Sequence, residues 1–464
     1  MKFRKIAALM LAGMMTVSAT ACGNTPATPA EPAAQTQTTP EAEETETPET
    51  TEETTPEAQD TSSTEGGSVD LASANVSLDM WCIATESDSN RHSYEAAIEE
   101  MASEYPGITL NWEAFENESY KTKIKAAVAA DEMPDIFFTW SCAFLGDFVS
   151  QGKVYCLDAA YQDYASELPE VMLANSTYDG KHYGVPLTMN IVGLFANMDL
   201  LKEAGYDEVP GTYDEFIKCC DALKAKGIIP FGCAGKETWC VTEYLEPIME
   251  KSIGAEQMNK IMLGQDTWNN PDVAASVDTF QKMINDGYFD PNGISLGNDE
   301  VKANFMQGKY AFYMNGTWNC ADFANDAEFF PKVKVSEFPV VNADKSKLGE
   351  LIGGPSDTLA VAAGSENADV AAKYTFELGK RICHYGYLDG CGLPAWTPYG
   401  DTSSVNELTQ TVAGICNNAS GYVLFGDTAQ NADDAQTYLD YVAQVYGCAI
   451  DGQGFIDGLS NDIR

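Results

Sequence analysis

Hydrophobic and polar positions near the start of the folded sequence follow two different periods. Residues 76–83 and 108–114 alternate apolar and polar side chains, which predicts two strands with one buried face each. Residues 94–105 and 120–128 carry apolar side chains at helical spacing, and 135–139 form a short, almost continuous apolar run. The order strand, helix, strand, helix, strand predicts a parallel sheet with helices on its faces.

A second informative pattern lies between residues 304 and 318. Gly308 suits the left-handed conformation that closes a helix, and the apolar run 310–314 predicts a strand covered on both faces. Thr317 is expected to cap a new helix, which places Trp318 at its start. Because ligands of open α/β sheets bind beyond the carboxyl ends of strands, Trp318 is either a ligand platform or a core residue.

The N-terminus has the pattern of an export signal. Basic residues within 2–5 precede the apolar stretch 6–19, which is too short to span a bilayer. The sequence Ala-Thr-Ala-Cys-Gly that ends at Gly23 resembles a bacterial lipoprotein cleavage site, which implies a signal peptide over 1–22 and lipidation of Cys22. An ordinary secretory signal with an incidental cysteine is the alternative.

Residues 23–74 are dominated by Thr, Glu, Pro, Ala and Gln. This composition cannot bury enough apolar surface to offset the entropy of ordering, so we expect a disordered tether. The formal charge of the whole chain is −43, which argues against nucleic-acid binding and against electrostatic attachment to an anionic membrane.

The chain has 13 cysteines, of which Cys22 belongs to the export signal. Cys219 and Cys220 are adjacent on a predicted helix, and a chain of this length does not need disulfides to fold. We expect mostly free, buried thiols that pack as small apolar side chains. The sequence also allows one or two disulfides, and Cys233 and Cys240 are the nearest plausible pair.

A series of short segments resembles, in its order and spacing, the extracellular solute-binding proteins of ABC sugar importers, the maltose-binding-protein-like family. The segments are Asp-Gly-Lys-His-Tyr-Gly-Val-Pro (179–186), Leu-Phe-Ala-Asn (194–197), Leu200-Leu201, Ala204-Gly205, Pro210, Thr212-Tyr213, Glu215-Phe216, Lys-Gly-Ile-Ile-Pro (226–230), and then Phe305, Gly308, Lys309, Gly316 and Trp318. The resemblance implies an α/β, two-lobed periplasmic-binding-protein-like fold. Each lobe would be a mainly parallel sheet flanked by helices, and a three-crossing hinge would join the lobes.

The resemblance also implies lobe boundaries. The first lobe would comprise 75–187 and 340–393, and the second lobe 188–339 and 394–464. The three crossings would lie near 186–189, 335–339 and 393–394.

Four tryptophans are candidates for stacking against a sugar. By the resemblance, Trp140 and Trp318 lie in regions that supply sugar-stacking aromatic residues. Trp239 and Trp396 lie in expected cleft loops, and ligand contact and packing are equally open for both.

The polar candidates follow predicted strands. Glu86, Ser87 and Asp88 come after the first strand, where carboxylates could accept hydrogen bonds from vicinal hydroxyls or cap the next helix. The resemblance places a polar ligand contact at Asn190. Gly353 and Gly354 would let the backbone approach a ligand closely, or would form a plain turn.

Catalysis and metal binding have little support in the sequence. The three histidines are scattered, and neither a nucleophile elbow nor a phosphate-binding loop occurs. His384 with Cys383 and Cys391 lacks a fourth zinc ligand. No catalytic residue, metal or cofactor is predicted.

The expected function is that of a substrate-binding component of an ABC importer. A carbohydrate, expected to be an oligosaccharide, would bind between the lobes of a lipid-anchored monomer on the extracellular face of the bacterial cytoplasmic membrane. Closure of the lobes would present it to the permease subunits. The alternatives are a secreted carbohydrate-active enzyme, a binding protein for a peptide or polyamine, and a surface adhesin.

Overall fold

The computed structural model describes residues 69–463. The predicted signal peptide, the predicted lipidation at Cys22 and the predicted tether up to residue 68 lie outside the described residues. Within residues 69–463, no helix combines the length and the apolar character needed to cross a membrane.

The strands, in chain order, are β1 (Val76–Cys82), β2 (Ile108–Ala114), β3 (Ile136–Trp140), β4 (Thr177–Tyr178), β5 (Lys181–His182), β6 (Val185–Pro186), β7 (Thr188–Asn197), β8 (Ile229–Phe231), β9 (Tyr310–Gly316), β10 (Val333–Ser336), β11 (Glu350–Pro355), β12 (Asp357–Val361), β13 (Leu393–Pro394) and β14 (Gly421–Val423). The α-helices are α1 (Arg91–Glu104), α2 (Asn117–Ala130), α3 (Ala143–Ser150), α4 (Asp158–Tyr161), α5 (Glu170–Leu173), α6 (Met198–Glu203), α7 (Tyr213–Ala225), α8 (Trp239–Ile253), α9 (Ala255–Met262), α10 (Pro271–Asn285), α11 (Asn298–Met306), α12 (Cys320–Asn325), α13 (Ala368–Asp389), α14 (Glu407–Asn417), α15 (Gly426–Ala429), α16 (Ala432–Tyr446) and α17 (Gly452–Asp462).

The first lobe is built on a five-stranded sheet in the order β2-β1-β3-β12-β6. Strand β1 runs parallel to both β2 and β3, as the alternating pattern predicts. Strand β12 returns antiparallel beside β3 and β6. Leu71 is buried in the core of this lobe, so the last residues of the expected tether belong to the folded part.

The second lobe is built around the ten-residue strand β7. Strands β9, β10, β11 and β13 all pair with β7 in antiparallel register, while β8 and β14 add in parallel at the two sides. This sheet is therefore mixed rather than mainly parallel. Side chains of β7 alternate between its two faces. Leu194 and Ala196 enter one apolar core, and Ile191 and Phe195 enter another.

The chain passes between the two sheets three times. The first crossing, from β6 to β7, lies where it is expected. Strand β13 pairs with β7, but Ala395 and Trp396 return to the core of the first lobe, so the predicted boundary at 393/394 does not separate the lobes there.

The prediction that the middle crossing lies at 335–339 is wrong, because β10 and β11 both pair with β7 in the second sheet. The crossing lies between Pro355 and Asp357, so residues 350–355 belong to the second lobe.

The stretch around β9 largely follows its sequence pattern. Gly308 has a φ of 77° just after α11, and β9 is buried along its whole length. Thr317 does not cap a helix. Its hydroxyl donates to the Oδ1 atom of Asn190 and accepts from the amide of Ile191, because it packs directly against β7.

All twelve cysteines within the described residues are free, and eight of them are buried. The expectation of buried, unpaired thiols is confirmed for this part of the chain, and Cys233 and Cys240 form no disulfide.

Gly353 is expected to be intolerant of substitution. Its φ is 135°, and an added Cβ would lie 2.2 Å from the carbonyl oxygen of Asn190 on the neighbouring strand. We expect Gly353→Ala to lower the free energy of unfolding by about 2 kcal/mol or more, measured by urea denaturation. Gly364→Ala is the matched control, since no atom lies within 4 Å of its added Cβ. Equal stability of the two variants would contradict the close packing of β11 on β7.

Candidate functional site

A cavity of about 470 Å³ lies between the two lobes. The first lobe lines it with the loop after β1, the start of α2, the end of β3 and the crossing into β12. The second lobe lines it with the segment before and into α8, the start of α11, the turn after β9 and the region of α15. The lining residues occur within 83–90, 116–121, 140, 236–243, 295–302, 318–319, 356–357 and 425–428.

The second lobe supplies an aromatic wall. The ring centroids of Trp239 and Trp318 are 6.1 Å apart at an interplanar angle of 58°, and Phe425 lies 6.2 Å from Trp318. Both indoles are half-buried. Gly316 makes this arrangement possible, because an added Cβ there would lie 2.1 Å from the folded-back indole of Trp318.

Trp140 also lines the cavity, but little of its ring is free. It is 8% exposed, and the rings of Phe138 and Phe144 pack edge-on against it at 5.0 and 5.2 Å. The Nζ atom of Lys121 lies 5.1 Å from the ring centroid. Trp140 therefore offers a ligand much less surface than Trp239 and Trp318 do.

Of the polar candidates after β1, the structure brings Ser87 and Asp88 to the cavity. The Oδ1 atom of Asp88 accepts from the amide and the side chain of Asn90, so this carboxylate also shapes its own loop. Burial raises the pKa of Asp88. Glu86 points away from the cavity, because its side chain is 90% exposed and pairs with Arg91 at 3.3 Å.

The structure does not place Asn190 or Trp396 in the cavity wall. Asn190 is 4% exposed, and its side chain bonds the carbonyl oxygen of Cys391 and the hydroxyl of Thr317. It joins the hinge to the turn that carries Trp318. Trp396 is buried in the first lobe, where its Nε1 donates to the carbonyl oxygen of Pro186 at 2.9 Å.

The pair Gly353 and Gly354 also lies outside the cavity wall. The two glycines pair with Ile191 and Asn190 in the second sheet. Their lack of a side chain serves the close approach of β11 to β7 and to Leu424, rather than an approach to a ligand.

Several cavity residues escape sequence reasoning. Glu243 follows Trp239 by four residues on α8, so helical spacing could have found it. Asp357 and Asp427 could not be found this way. Asp357 reaches the site only because it pairs with Trp140 across the sheet, and Asp427 because α15 packs against α8.

Three polar atoms on cavity-lining residues have no hydrogen-bond partner within residues 69–463. They are the Oδ1 atom of Asn117, the Nε1 atom of Trp239 and the Oε2 atom of Glu243. Buried polar atoms are nearly always bonded, so such atoms on a cavity wall indicate partners supplied by a ligand or by water.

Burial raises the pKa values of several carboxyls in and beneath the cavity wall. Burial, followed by the nearby Glu246 and Asp427, raises the pKa of Glu243 well above its ordinary value. Burial and then the charge of Asp427 raise the pKa of Glu246, just beneath the cavity, to about 8. On the opposite wall, burial and the neighbouring Asp88 raise the pKa of Asp357 to about 7.

Polar contacts join the two lobes both beside the cavity and away from it. The hydroxyl of Ser89 donates to Asp322 at 3.0 Å, and Lys121 lies 3.7 Å from Asp427. Away from the cavity, a carboxylate oxygen of Asp147 on α3 accepts from the amide that begins α16 at 3.0 Å. The described structure therefore has its lobes closed over the cavity.

Among the described residues, no group of three or more His, Cys, Asp or Glu side chains could hold a metal ion. The cavity lining contains neither a histidine nor a cysteine. What the lining does provide is aromatic faces, carboxylates, amides and three lysines.

The sequence and the fold both have relatives. A binding protein from Brucella abortus is 27% identical over 285 residues, which cover 60% of this chain and 66% of that protein, just under two thirds. The multiple sugar-binding protein of Streptococcus mutans is 25% identical over 358 residues, covering 73% of this chain and 79% of the relative.

A solved structure from work on xylan utilization by the thermophilic bacterium Caldanaerobius polysaccharolyticus superposes with a TM-score of 0.80. It is 32% identical, and the match covers 84% of this chain and 100% of the other. The expected two-lobed fold is thereby confirmed.

The family model described as bacterial extracellular solute-binding protein matches residues 88–375. The match includes the strands of the first sheet other than β1, the cavity walls formed by α2 and α8, and the turn that carries Trp318. This chain belongs to the family of bacterial extracellular solute-binding proteins.

Proposed function

We propose that this protein captures an oligosaccharide in the cavity between its lobes and delivers it to the membrane subunits of an ABC importer. The observation that carries the proposal is the joint presence of an aromatic wall and unpartnered polar atoms in one interlobe cavity. The volume of about 470 Å³ falls within the range of small-molecule binding sites. The sugar-binding name of the Streptococcus mutans relative supports the same ligand class.

The chemistry of the wall suits a sugar. The CH faces of a pyranose ring are apolar and would pack on Trp239 and Trp318. Hydroxyl groups both donate and accept, so they can satisfy a donor such as the Nε1 atom of Trp239 and an acceptor such as the Oδ1 atom of Asn117. Such a ligand would supply the partners that these buried atoms lack.

Delivery follows from closure of the lobes. A ligand that contacts both lobes stabilises the closed state relative to the open one, by as much as its affinities for the two states differ. The contacts of Ser89 and Lys121 across the cleft exist only when the lobes meet. The closed form would then be the one presented to the permease.

The protein acts in this proposal as a monomeric binding protein, not as an enzyme, on the extracellular face of the bacterial cytoplasmic membrane. Cys22 would carry the lipid, and residues 23–68 would separate the anchor from the folded part. Incubation with xylan, chitin and starch tests the enzymatic alternative. Release of shorter saccharides would show that the protein hydrolyses polysaccharides and would contradict a role in binding alone.

Loss of the aromatic wall should weaken binding. We expect Trp318→Ala and Trp239→Ala each to lower affinity at least about tenfold, because a sugar ring loses its apolar contact. The measurement is calorimetry with the best ligand from a thermal-shift screen of xylo-, chito-, malto- and raffinose-type oligosaccharides.

Trp396→Phe is the matched control for the aromatic wall. It removes an indole outside the cavity and its bond to Pro186, so it should lower the melting temperature without changing affinity. If Trp318→Ala unfolds the protein but the folded fraction binds normally, Trp318 is a core residue and not a platform.

The contact between Asp147 and the first turn of α16 should favour closure. Asp147 does not line the cavity, yet its carboxylate accepts from a helix N-terminal amide of the other lobe. We expect Asp147→Ala to weaken oligosaccharide binding about fivefold, chiefly through faster dissociation in stopped-flow fluorescence. Asp131→Ala, at the exposed end of α2, is the control, and an equal effect of both substitutions would refute the role of the contact.

Lipidation at Cys22 predicts that the protein partitions into a detergent phase. We expect Cys22→Ser to move the protein from the detergent phase to the aqueous phase in a Triton X-114 separation and to release it into the medium of a host that processes lipoproteins. Cys448→Ser, at an exposed cysteine of the folded part, should stay with the membrane. Retention of the Cys22→Ser variant would indicate another anchor, and an aqueous wild-type protein would indicate an ordinary secretory signal.

A further inference from the structure

The lining of the interlobe cavity carries more carboxylates than ammonium groups. Eight carboxylates and three ammonium groups line it. The carboxylates belong to Asp88, Glu116, Glu237, Glu243, Asp299, Glu300, Asp357 and Asp427. Two of the lysines are already committed to ion pairs, Lys121 to Asp427 and Glu118, and Lys302 to Asp322 and Asp299.

Among the carboxylates that line the cavity, Glu243 is buried and lacks interaction partners within residues 69–463. Its side chain is 2% exposed, its Oε2 atom has no hydrogen-bond partner within the described residues, and it takes part in none of their ion pairs. The groups that act on it electrostatically, Glu246 and Asp427, are carboxyls as well and supply no positive charge. A buried charge without a partner is strongly unfavourable, so the closed cavity lacks a positive group at this point.

The position of Glu243 relates it to the aromatic wall. It lies four residues after Trp239 on α8, so the two side chains share one helix face at the cavity. A cation beside Glu243 would also lie near the faces of Trp239 and Trp318, which attract positive charge. A sugar stacked on this wall would hold a ring substituent within reach of the carboxylate.

We propose that the ligand of this cavity is a saccharide that carries a positively charged amino group, and that this group binds beside Glu243. The inference rests on the proposed function, since it names the class of saccharide that the same site takes. Two further carboxyls, Asp88 and Asp357, lie on the opposite wall.

The surroundings of Glu243 give this ligand a distinct pH dependence. The titratable groups that act on it or feel its charge are Glu246, Cys240 and Tyr244 on α8, Tyr313 on β9, and Asp427 on α15, which Lys121 of α2 approaches. Burial raises the pKa of the thiol and of both phenols, so they stay neutral near pH 7. The balance at neutral pH is therefore set by three carboxyls and one lysine.

The direction in which pH changes the affinity follows from the raised pKa of Glu243. An ammonium group binds the ionised form of Glu243, so its binding displaces a proton and weakens as the pH falls through the raised pKa of the empty site. A neutral sugar has no such requirement, because protonated carboxyls can donate to its hydroxyls. Acidification should thus weaken only the amino saccharide.

The test is a calorimetric comparison of matched saccharides with the mature wild-type protein. Each set holds one oligosaccharide backbone, in gluco or galacto configuration, with a free amine, an acetamide or a hydroxyl at the same carbon. We expect the free amine to bind at least about tenfold more tightly than the other two near pH 7, and to lose that advantage by about pH 5. Equal or tighter binding of the hydroxyl or acetamide form would overturn the inference while leaving the proposed function intact.

Glu243→Gln keeps the shape of the side chain and removes its charge. We expect it to reduce the preference for the amine over the hydroxyl form at least about tenfold. Glu256→Gln, an exposed carboxylate of the same lobe, is the control for net charge and should keep the preference. If Glu243→Gln does not fold, the pH dependence of amine binding by the wild-type protein still tests the inference.

Spermidine completes the panel as a cation without a sugar ring. Binding of spermidine with no binding of any saccharide would overturn both the inference and the proposed function. If neither spermidine nor any saccharide binds, the inference and the proposed function are both overturned as well. Binding of the hydroxyl forms alone would remove only the amino group from the proposal.

Discussion

The second lobe depends on the hydrogen-bonded strand β7. Over ten residues its backbone pairs with four other strands, and its side chains alternate into two apolar cores. It begins at the first crossing between lobes, and the strand of the last crossing, β13, pairs with it there. A single strand therefore sets the sheet, the hinge and the position of the turn after β9.

Much of this fold is predictable from short-range patterns. The β1–α1–β2–α2–β3 order follows from periodicity, and the stop at Gly308 from its conformational freedom. The middle crossing was not predictable, because only the pairing of β10 and β11 with β7 shows that the chain stays in the second sheet until Pro355. Strand pairing between distant segments leaves no local signal in one sequence.

The same division applies to the cavity. Trp318 was a candidate because it follows a strand and because of the family resemblance, Trp239 because it lies in an expected cleft loop, and Asp88 because it follows a strand; all three line the cavity. Trp396 has the same kind of local sequence but is held in the first core by its bond to Pro186. Asp357 and Asp427 reach the site through sheet register and helix packing, which no spacing rule describes.

The electrostatics of the cavity and the closure of the lobes are connected. Closed lobes exclude water from Glu243 and Asp357, which raises the cost of leaving them charged and unpaired. The lysines that could offset them are used at the lobe interface, as Lys121 is by Asp427. A cavity of this kind is most stable when its occupant, or a bound proton, balances the charge.

The hydrogen bond between Asn190 and Thr317 has a consequence for motion. It fastens the turn of Trp318 to the strand that starts at the hinge, and Trp239 and Phe425 belong to the same lobe. No ring of the aromatic wall has to move relative to another when the lobes separate. The open cleft would therefore display the aromatic wall as a rigid docking face, and the first-lobe residues of the cavity, such as Asp88 and Asn117, would be added when the lobes close.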